Sequence, residues 1–235
     1  MKTIGLLGGM SWESSLEYYR SINRETARRL GGLHSASILM HSVDFDPLAA
    51  WMAEGLWDRV AQHLVEAARR LKRGGADFLV IATNTMHKVA PRVAEEADMP
   101  LLHIGDPVGR AAGDAGVRRV GLLGTRFTME DAFLKDYLVQ HFGLEVVTPD
   151  QAGRDHIHRI IFEELCLGRV TDEGRAAMRR LMDGLQADGA QAVILGCTEL
   201  PMLVDESAAG LTVLDTTRLH AHAAVDRALA DEPGP

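Results

Sequence analysis

Thr83 and Cys197 are the two side chains of this sequence best placed to move a proton between them. Each follows a short apolar run, FLVIA before Thr83 and AVILG before Cys197, and each opens a polar turn, TNT and CTE. In open α/β sheets, ligands bind beyond the carboxyl ends of the strands, where the first free N–H groups of the following helix attract a carboxylate or phosphate. Two such groups acting on both faces of one carbon can invert a stereocentre. One removes a proton, the other returns one, and the carbanion is stabilised between them. A thiolate suits the role of base, because the N-terminus of a helix lowers a thiol's pKa. Glu199 and His87, shortly after Cys197 and Thr83, are placed to relay or tune those protons.

Short apolar runs alternate with longer stretches of helical period along the chain, the pattern of α/β layers around a mostly parallel sheet. Strands are expected at Thr3 to Leu7, Ser37 to His41, Phe78 to Ala82, Leu101 to His103, Arg119 to Leu123, Glu145 to Thr148, Ala192 to Leu195 and Thr212 to Leu214. Leu56, Val60, Leu64, Ala68 and Leu71 form one apolar stripe on a helix, which Gly74 and Gly75 end. The chain also resembles itself: KTIGLLGGM from Lys2 recurs as RRVGLLGTR from Arg118, and ADFLVIATNTMHKV from Ala76 recurs as AQAVILGCTELPML from Ala190. A third echo pairs PLLHIGDPVGRAA from Pro100 with LTVLDTTRLHAHA from Leu211. The expected fold is therefore α/β, with two similar lobes related by a pseudo-twofold and a cleft between them. The first lobe is expected over residues 1–98, with 216–230 packing back on it, and the second over 99–215. The passage at 98–118 reads as only moderately loop-like, and the ADEPGP tail reads as a disordered end.

Of the 235 residues, 46% are hydrophobic and 25% charged, which suits packed cores and excludes disordered and fibrous classes. A formal net charge of −8 and scattered basic residues exclude a phosphate-backbone partner, so no nucleic acid is expected. Two cysteines are too few for a disulfide framework, which points to a reducing cytoplasm. The N-terminal apolar run is broken by Gly8, Gly9 and Glu13, unlike a signal segment, and no run approaches the ~18 apolar residues of a membrane span.

Other residues invite weaker readings. Cys166 falls in the apolar helical pattern of Ile157, Ile160, Ile161 and Leu165, and is expected in the core. GLLGGM matches neither GxGxxG nor GxxxxGK[ST]; its glycines suit close backbone approach to a small ligand, with Ser11 capping the helix from Trp12 to Leu30. Ten histidines include the pairs His156 with His158 and His220 with His222, which lack metal-ligand spacing, so no metal is expected.

GLLGGMSWESS, HSVDFDP, ATNTMHK, GLLGTRFTM, IIFEELCLG and LGCTEL, in that order from Lys2 to about His222, resemble the aspartate/glutamate racemase family. Thr83, where most members carry a second cysteine, makes the chain most similar to the L-aspartate/glutamate-specific racemases. The resemblance implies a two-lobed α/β homodimer with its site in the cleft and no pyridoxal phosphate, metal or nucleotide cofactor. It implies Cys197 as the base toward the L-amino acid and Thr83 as the acid on the opposite face. Asn84, Thr85, Thr125 and Thr198 would hold the α-carboxylate and amino group, and Met10 would lie against the substrate. Two positions depart from the family. Leu167 stands where many members place a lysine for the side-chain carboxylate, and apolar Met52 lines the same distal pocket. Arg126 and Lys88 are the alternative cations, unless the substrate side chain is uncharged. Two other readings stay open: a one-cysteine decarboxylase or cis-trans isomerase on the same scaffold, and an inactive amino-acid-binding protein.

Overall fold

The computed structural model describes residues 1–204 and 210–230, which form two compact units. The first comprises Met1–Ile104 with the chain from His220 onward, and the second Gly105–Leu219. Of the ADEPGP tail, residues 231–235 lie outside the described residues.

The first unit contains β1 (Ile4–Gly8), α1 (Trp12–Leu30), β2 (Ile38–Ser42), α2 (Phe45–Ala53), α3 (Trp57–Arg73), β3 (Phe78–Ile81) and α4 (Ala90–Ala97). Its parallel sheet has the order β2-β1-β3. All residues of β1 and β3 are buried because helices cover both faces. Leu7, Leu79 and Ile81 share one core with the apolar stripe of α3 and with Val93 of α4. Ile4, Leu6, Phe78 and Val80 share another with Tyr18 and Ile22 of α1. Four of the five residues of the expected stripe, Val60, Leu64, Ala68 and Leu71, are buried on α3, each large apolar side chain contributing about 1.5–3 kcal/mol; Leu56 is the half-buried N-cap, and Gly74 caps the end. Ser11 caps α1 as expected, its hydroxyl accepting from the Ser14 N–H.

The second unit contains α5 (Gly105–Asp114), β4 (Arg119–Gly124), α6 (Arg126–Glu130), α7 (Ala132–Phe142), β5 (Glu145–Val147), α8 (Gln151–Glu163), α9 (Asp172–Ala187), β6 (Ala192–Gly196), β7 (Thr212–Asp215) and the start of α10 (Thr216–Leu229), which belongs to the first unit from His220. Its parallel sheet has the order β5-β4-β6-β7. The repeat seen in the sequence is thus a repeat of topology, with β1, β2 and β3 corresponding to β4, β5 and β6.

Two expectations need correction. Leu101 to His103 is no strand; only Leu101 bridges Leu79, because the chain turns into α5 at Gly105. The passage at 98–118, read as only moderately loop-like, holds α5 over Gly105–Asp114 between two stretches without regular structure. Cys166 is exposed rather than in the core. The helix carrying Ile157, Ile160 and Ile161 ends at Glu163, and Leu165–Leu167 form a 3-10 turn whose tighter pitch keeps Leu165 buried and rotates Cys166 outward.

Candidate active site

In the first unit the candidate residues gather at the carboxyl ends of β1 and β3, which are adjacent strands with Leu7 opposite Ile81. The loop after β1 is held by Ser15, whose Oγ accepts from the Gly9 N–H at 2.7 Å and donates to the Ser11 carbonyl at 3.1 Å. Gly9 has φ +95, and a Cβ there would lie 2.2 Å from the Val43 carbonyl oxygen, so the close approach needs glycine. Met10 from this loop is buried, and Met52 of α2 packs half-buried on the same apolar core. After β3, Thr83 is partly exposed while Asn84 and Thr85 are buried.

His87 fixes the Thr83 turn. Its Nδ1–H donates to the Thr83 carbonyl at 2.8 Å, and its Nε2 accepts from the Ile104 N–H at 3.1 Å. Burial, with His103 and His220 close by, holds its pKa well below the usual 6.5, so the ring is neutral. Both nitrogens are engaged by backbone. The expectation that His87 relays protons is therefore corrected: it is a buttress. A second histidine continues the same packing, with the His220 ring 5.8 Å from His87, Nδ1 accepting from Tyr18 Oη at 2.9 Å and Nε2–H donating to the Leu102 carbonyl at 2.9 Å. Sequence reasoning missed this network. Its one legible signal is the i, i+4 spacing from Thr83 to His87.

In the second unit Thr125 and Cys197 follow adjacent strands, β4 and β6, one residue beyond the paired Gly124 and Gly196. A Cβ on Gly196 would lie 3.0 Å from Thr128 Cγ2, so glycine lets the two strand ends close on Thr128. Thr125 caps α6, its Oγ1 accepting from the Thr128 N–H at 3.4 Å. Cys197 is followed by a 3-10 turn, Leu200–Leu203, rather than by a long helix.

The thiol's surroundings are opposite to the expectation. Cys197 Sγ–H donates to Glu199 Oε2 at 2.8 Å, and Thr198 Oγ1–H donates to the same oxygen at 2.6 Å. Burial of the sulfur and the adjacent carboxylate push the Cys197 pKa well above 9, so the resting group is a thiol. No helix dipole offsets this, because the following turn is short. Glu199 also acts on Cys166, whose thiol is pushed up to about 11 by partial desolvation and that carboxylate.

The alternative cations are engaged elsewhere. Arg126 is exposed and lies 3.5 Å from Asp155, and Lys88 Nζ sits 4.1 Å above the Trp57 ring. Leu167 is 65% exposed, and its apolar side chain has no group to replace a lysine's contact. Among the described residues, no group of three His, Cys, Asp or Glu could hold a metal ion, and no helix is long and apolar enough to cross a membrane.

Residues 7–224 match the Asp/Glu/Hydantoin racemase family. Among solved structures, a candidate Asp/Glu racemase from Yersinia pestis is 48% identical with a TM-score of 0.93, covering 97% of this chain and 100% of that one. An aspartate racemase homologue from Pyrococcus horikoshii OT3 is 32% identical with a TM-score of 0.86, covering 97% of this chain and 99% of that one. Glutamate racemase from Thermus thermophilus is 32% identical over 173 residues, 71% of this chain and 61% of that protein, so the match spans less than two thirds of this relative's length.

Proposed function

We propose that this chain, which belongs to the Asp/Glu/hydantoin racemase family, is an amino-acid racemase that interconverts L- and D-aspartate or glutamate by proton transfer at Cα. Cys197 takes the α-proton of the L-enantiomer, and Thr83 returns a proton on the opposite face. Asn84, Thr85, Thr125 and Thr198 hold the α-carboxylate and amino group, with Met10 and Met52 against the substrate. The reaction uses no cofactor, and the protein works as a cytoplasmic homodimer. One observation carries the reading: a duplicated β-sheet topology ends, at corresponding strand termini, in two different proton-bearing groups, Thr83 after β3 and Cys197 after β6. Racemisation is a reaction that needs two such groups and no other reactant.

The two groups are unequal. A threonine hydroxyl is a far weaker acid than a thiol, so Thr83 donates to a strongly basic carbanion but hardly ionises to start the reverse reaction. Turnover is accordingly faster from the L-enantiomer. Enantiomers have equal free energy in water, so kcat/KM is the same in both directions and the asymmetry lies in kcat with a matching change in KM.

Proton NMR of L-aspartate and L-glutamate in D2O, with optical rotation followed in parallel, tests this. Wild type is expected to lose the Cα proton signal and the rotation together, and Cys197→Ser to lose neither. Exchange that persists in Cys197→Ser would remove the cysteine from the mechanism, and loss of carbon dioxide would favour the decarboxylase reading. Silence toward both acids turns the test to uncharged amino acids such as L-alanine, which the apolar Met52 and Leu167 favour.

A further inference from the structure

We propose that Glu199 is a further catalytic residue, the acceptor that takes the thiol proton of Cys197 and so makes the thiolate that attacks Cα–H. The inference deepens the racemase reading and rests on it. Its basis is geometric: Cys197 Sγ–H points at Glu199 Oε2 from 2.8 Å, and Thr198 Oγ1–H, 2.6 Å from the same oxygen, holds the carboxylate in that orientation.

The charge balance explains why the proton goes there. Loss of the thiol proton to solvent would leave two negative charges within one hydrogen-bond length, on a half-buried sulfur and the carboxylate oxygen beside it, and their repulsion opposes it. Transfer to Glu199 breaks S–H, forms O–H, and keeps the pair at one negative charge throughout. The thiolate then takes the α-proton, leaving Cys197 as thiol, Glu199 as carboxylic acid and the substrate as carbanion. Thr83 protonates the carbanion and regains its proton from water, and Glu199 returns its proton to water. Each turnover thus exchanges one proton with solvent, and no oxidant, reductant or co-reactant enters.

The carboxylate therefore has two opposed effects, and one substitution separates them. Glu199→Gln keeps a hydrogen-bond acceptor for Sγ–H but removes both the negative charge and the basic oxygen. If Glu199 only suppressed the thiolate, its loss would speed the reaction. If it is the proton acceptor, L-to-D turnover of L-aspartate and L-glutamate falls about 10²–10⁴-fold, the usual contribution of a positioned base. Alkylation of Cys197 by iodoacetamide, followed peptide by peptide to separate it from Cys166, meanwhile moves to lower pH, because the repelling charge is gone. Glu199→Asp, a shorter carboxylate, recovers part of the turnover, which a purely structural role would not grant. Turnover in Glu199→Gln equal to or above wild type overturns the inference. So does an unchanged alkylation profile, which would mean that carboxylate and thiol are not coupled. Wild type that exchanges the Cα proton of none of L-aspartate, L-glutamate and L-alanine brings down the racemase reading and this inference together. Wild type that exchanges while Glu199→Gln keeps pace brings down this inference alone.

Discussion

The turns after β3 and β6 are corresponding pieces of a duplicated sheet, yet they are stabilised by opposite means. Behind Thr83 stands a neutral, buried imidazole that spends both nitrogens on backbone groups and has no proton to exchange. Beside Cys197 stands a carboxylate that touches the thiol itself. The same topology sets the place of the candidate side chain in both units, and the residue two or four positions further along sets what supports it, backbone hydrogen bonds at Thr83 and a side-chain contact to the thiol at Cys197. The Thr83 turn is held through its backbone, whereas at Cys197 the contact is to the thiol itself, and under the proposed mechanism only the second kind of neighbour can exchange a proton.

Making the two reactive groups alike is the strongest way to break this comparison. Thr83→Cys places at the end of β3 a group that can ionise, so the D-enantiomer gains a real base. The kcat from the D-enantiomer is expected to rise about 10²-fold, the scale of an effective general base. Because enantiomers are isoenergetic, kcat/KM must rise equally in both directions. Polarimetry from each pure enantiomer measures this, and unchanged D-to-L turnover would mean that proton transfer at Thr83 does not limit that direction.

How much of this was legible in the sequence depends on the range of the interaction. Strand positions were, because β1, β3, β4 and β6 are apolar runs ended by Gly, Ala or Thr whose pairing follows from burial on both faces. Leu101 to His103 has strand-like composition, but only Leu101 bridges before the chain commits to α5, and composition does not report how many residues remain to pair. The stripe of Ile157, Ile160 and Ile161 was legible as a helix, while the change of pitch after Glu163 that exposes Cys166 was not. At the site, Thr83 and Cys197 stood out through the repeat. The sign of the Cys197 shift did not, because it depends first on how far the fold desolvates the sulfur and then on which way the Glu199 side chain turns. His87 looked like a proton carrier until both nitrogens were accounted for.

The next effect is on stability, and it separates the two turns by what their supports do. His87→Ala strands the Thr83 carbonyl and the Ile104 N–H in a buried setting, a loss of about 3 kcal/mol given ~1–3 kcal/mol for each unsatisfied group. Tm is then expected to fall by about 6–12 °C at ~2–4 °C per kcal/mol for a chain of this size. Glu199→Gln, by contrast, keeps its acceptor and is expected to shift Tm by no more than ~2 °C while lowering turnover about 10²–10⁴-fold. Thermal melts of the two variants read both values, and a Tm loss in Glu199→Gln matching that of His87→Ala would erase the distinction between buttress and proton acceptor.

The smallest effect is a pair of opposed pH dependences. His87 is neutral when folded and titrates near 6.5 when unfolded. Below that pH the unfolded chain binds a proton the native state refuses, so stability falls as pH drops, by at most about 1.4 kcal/mol per unit. Cys197 has the reverse sign. Its thiol stays protonated in the native state and ionises near 9 in the unfolded chain. Above that pH the unfolded state sheds a proton the native state retains, so stability falls as pH rises, again by at most about 1.4 kcal/mol per unit. Urea unfolding across pH 5–10 (roughly, spanning both ordinary values) should show His87→Gln flattening only the acid limb and Cys197→Ser only the alkaline one. An acid limb that survives His87→Gln unchanged would assign it to other buried groups. An alkaline limb left unchanged by Cys197→Ser would assign it to other raised groups, Cys166 first, whose thiol is pushed up to about 11.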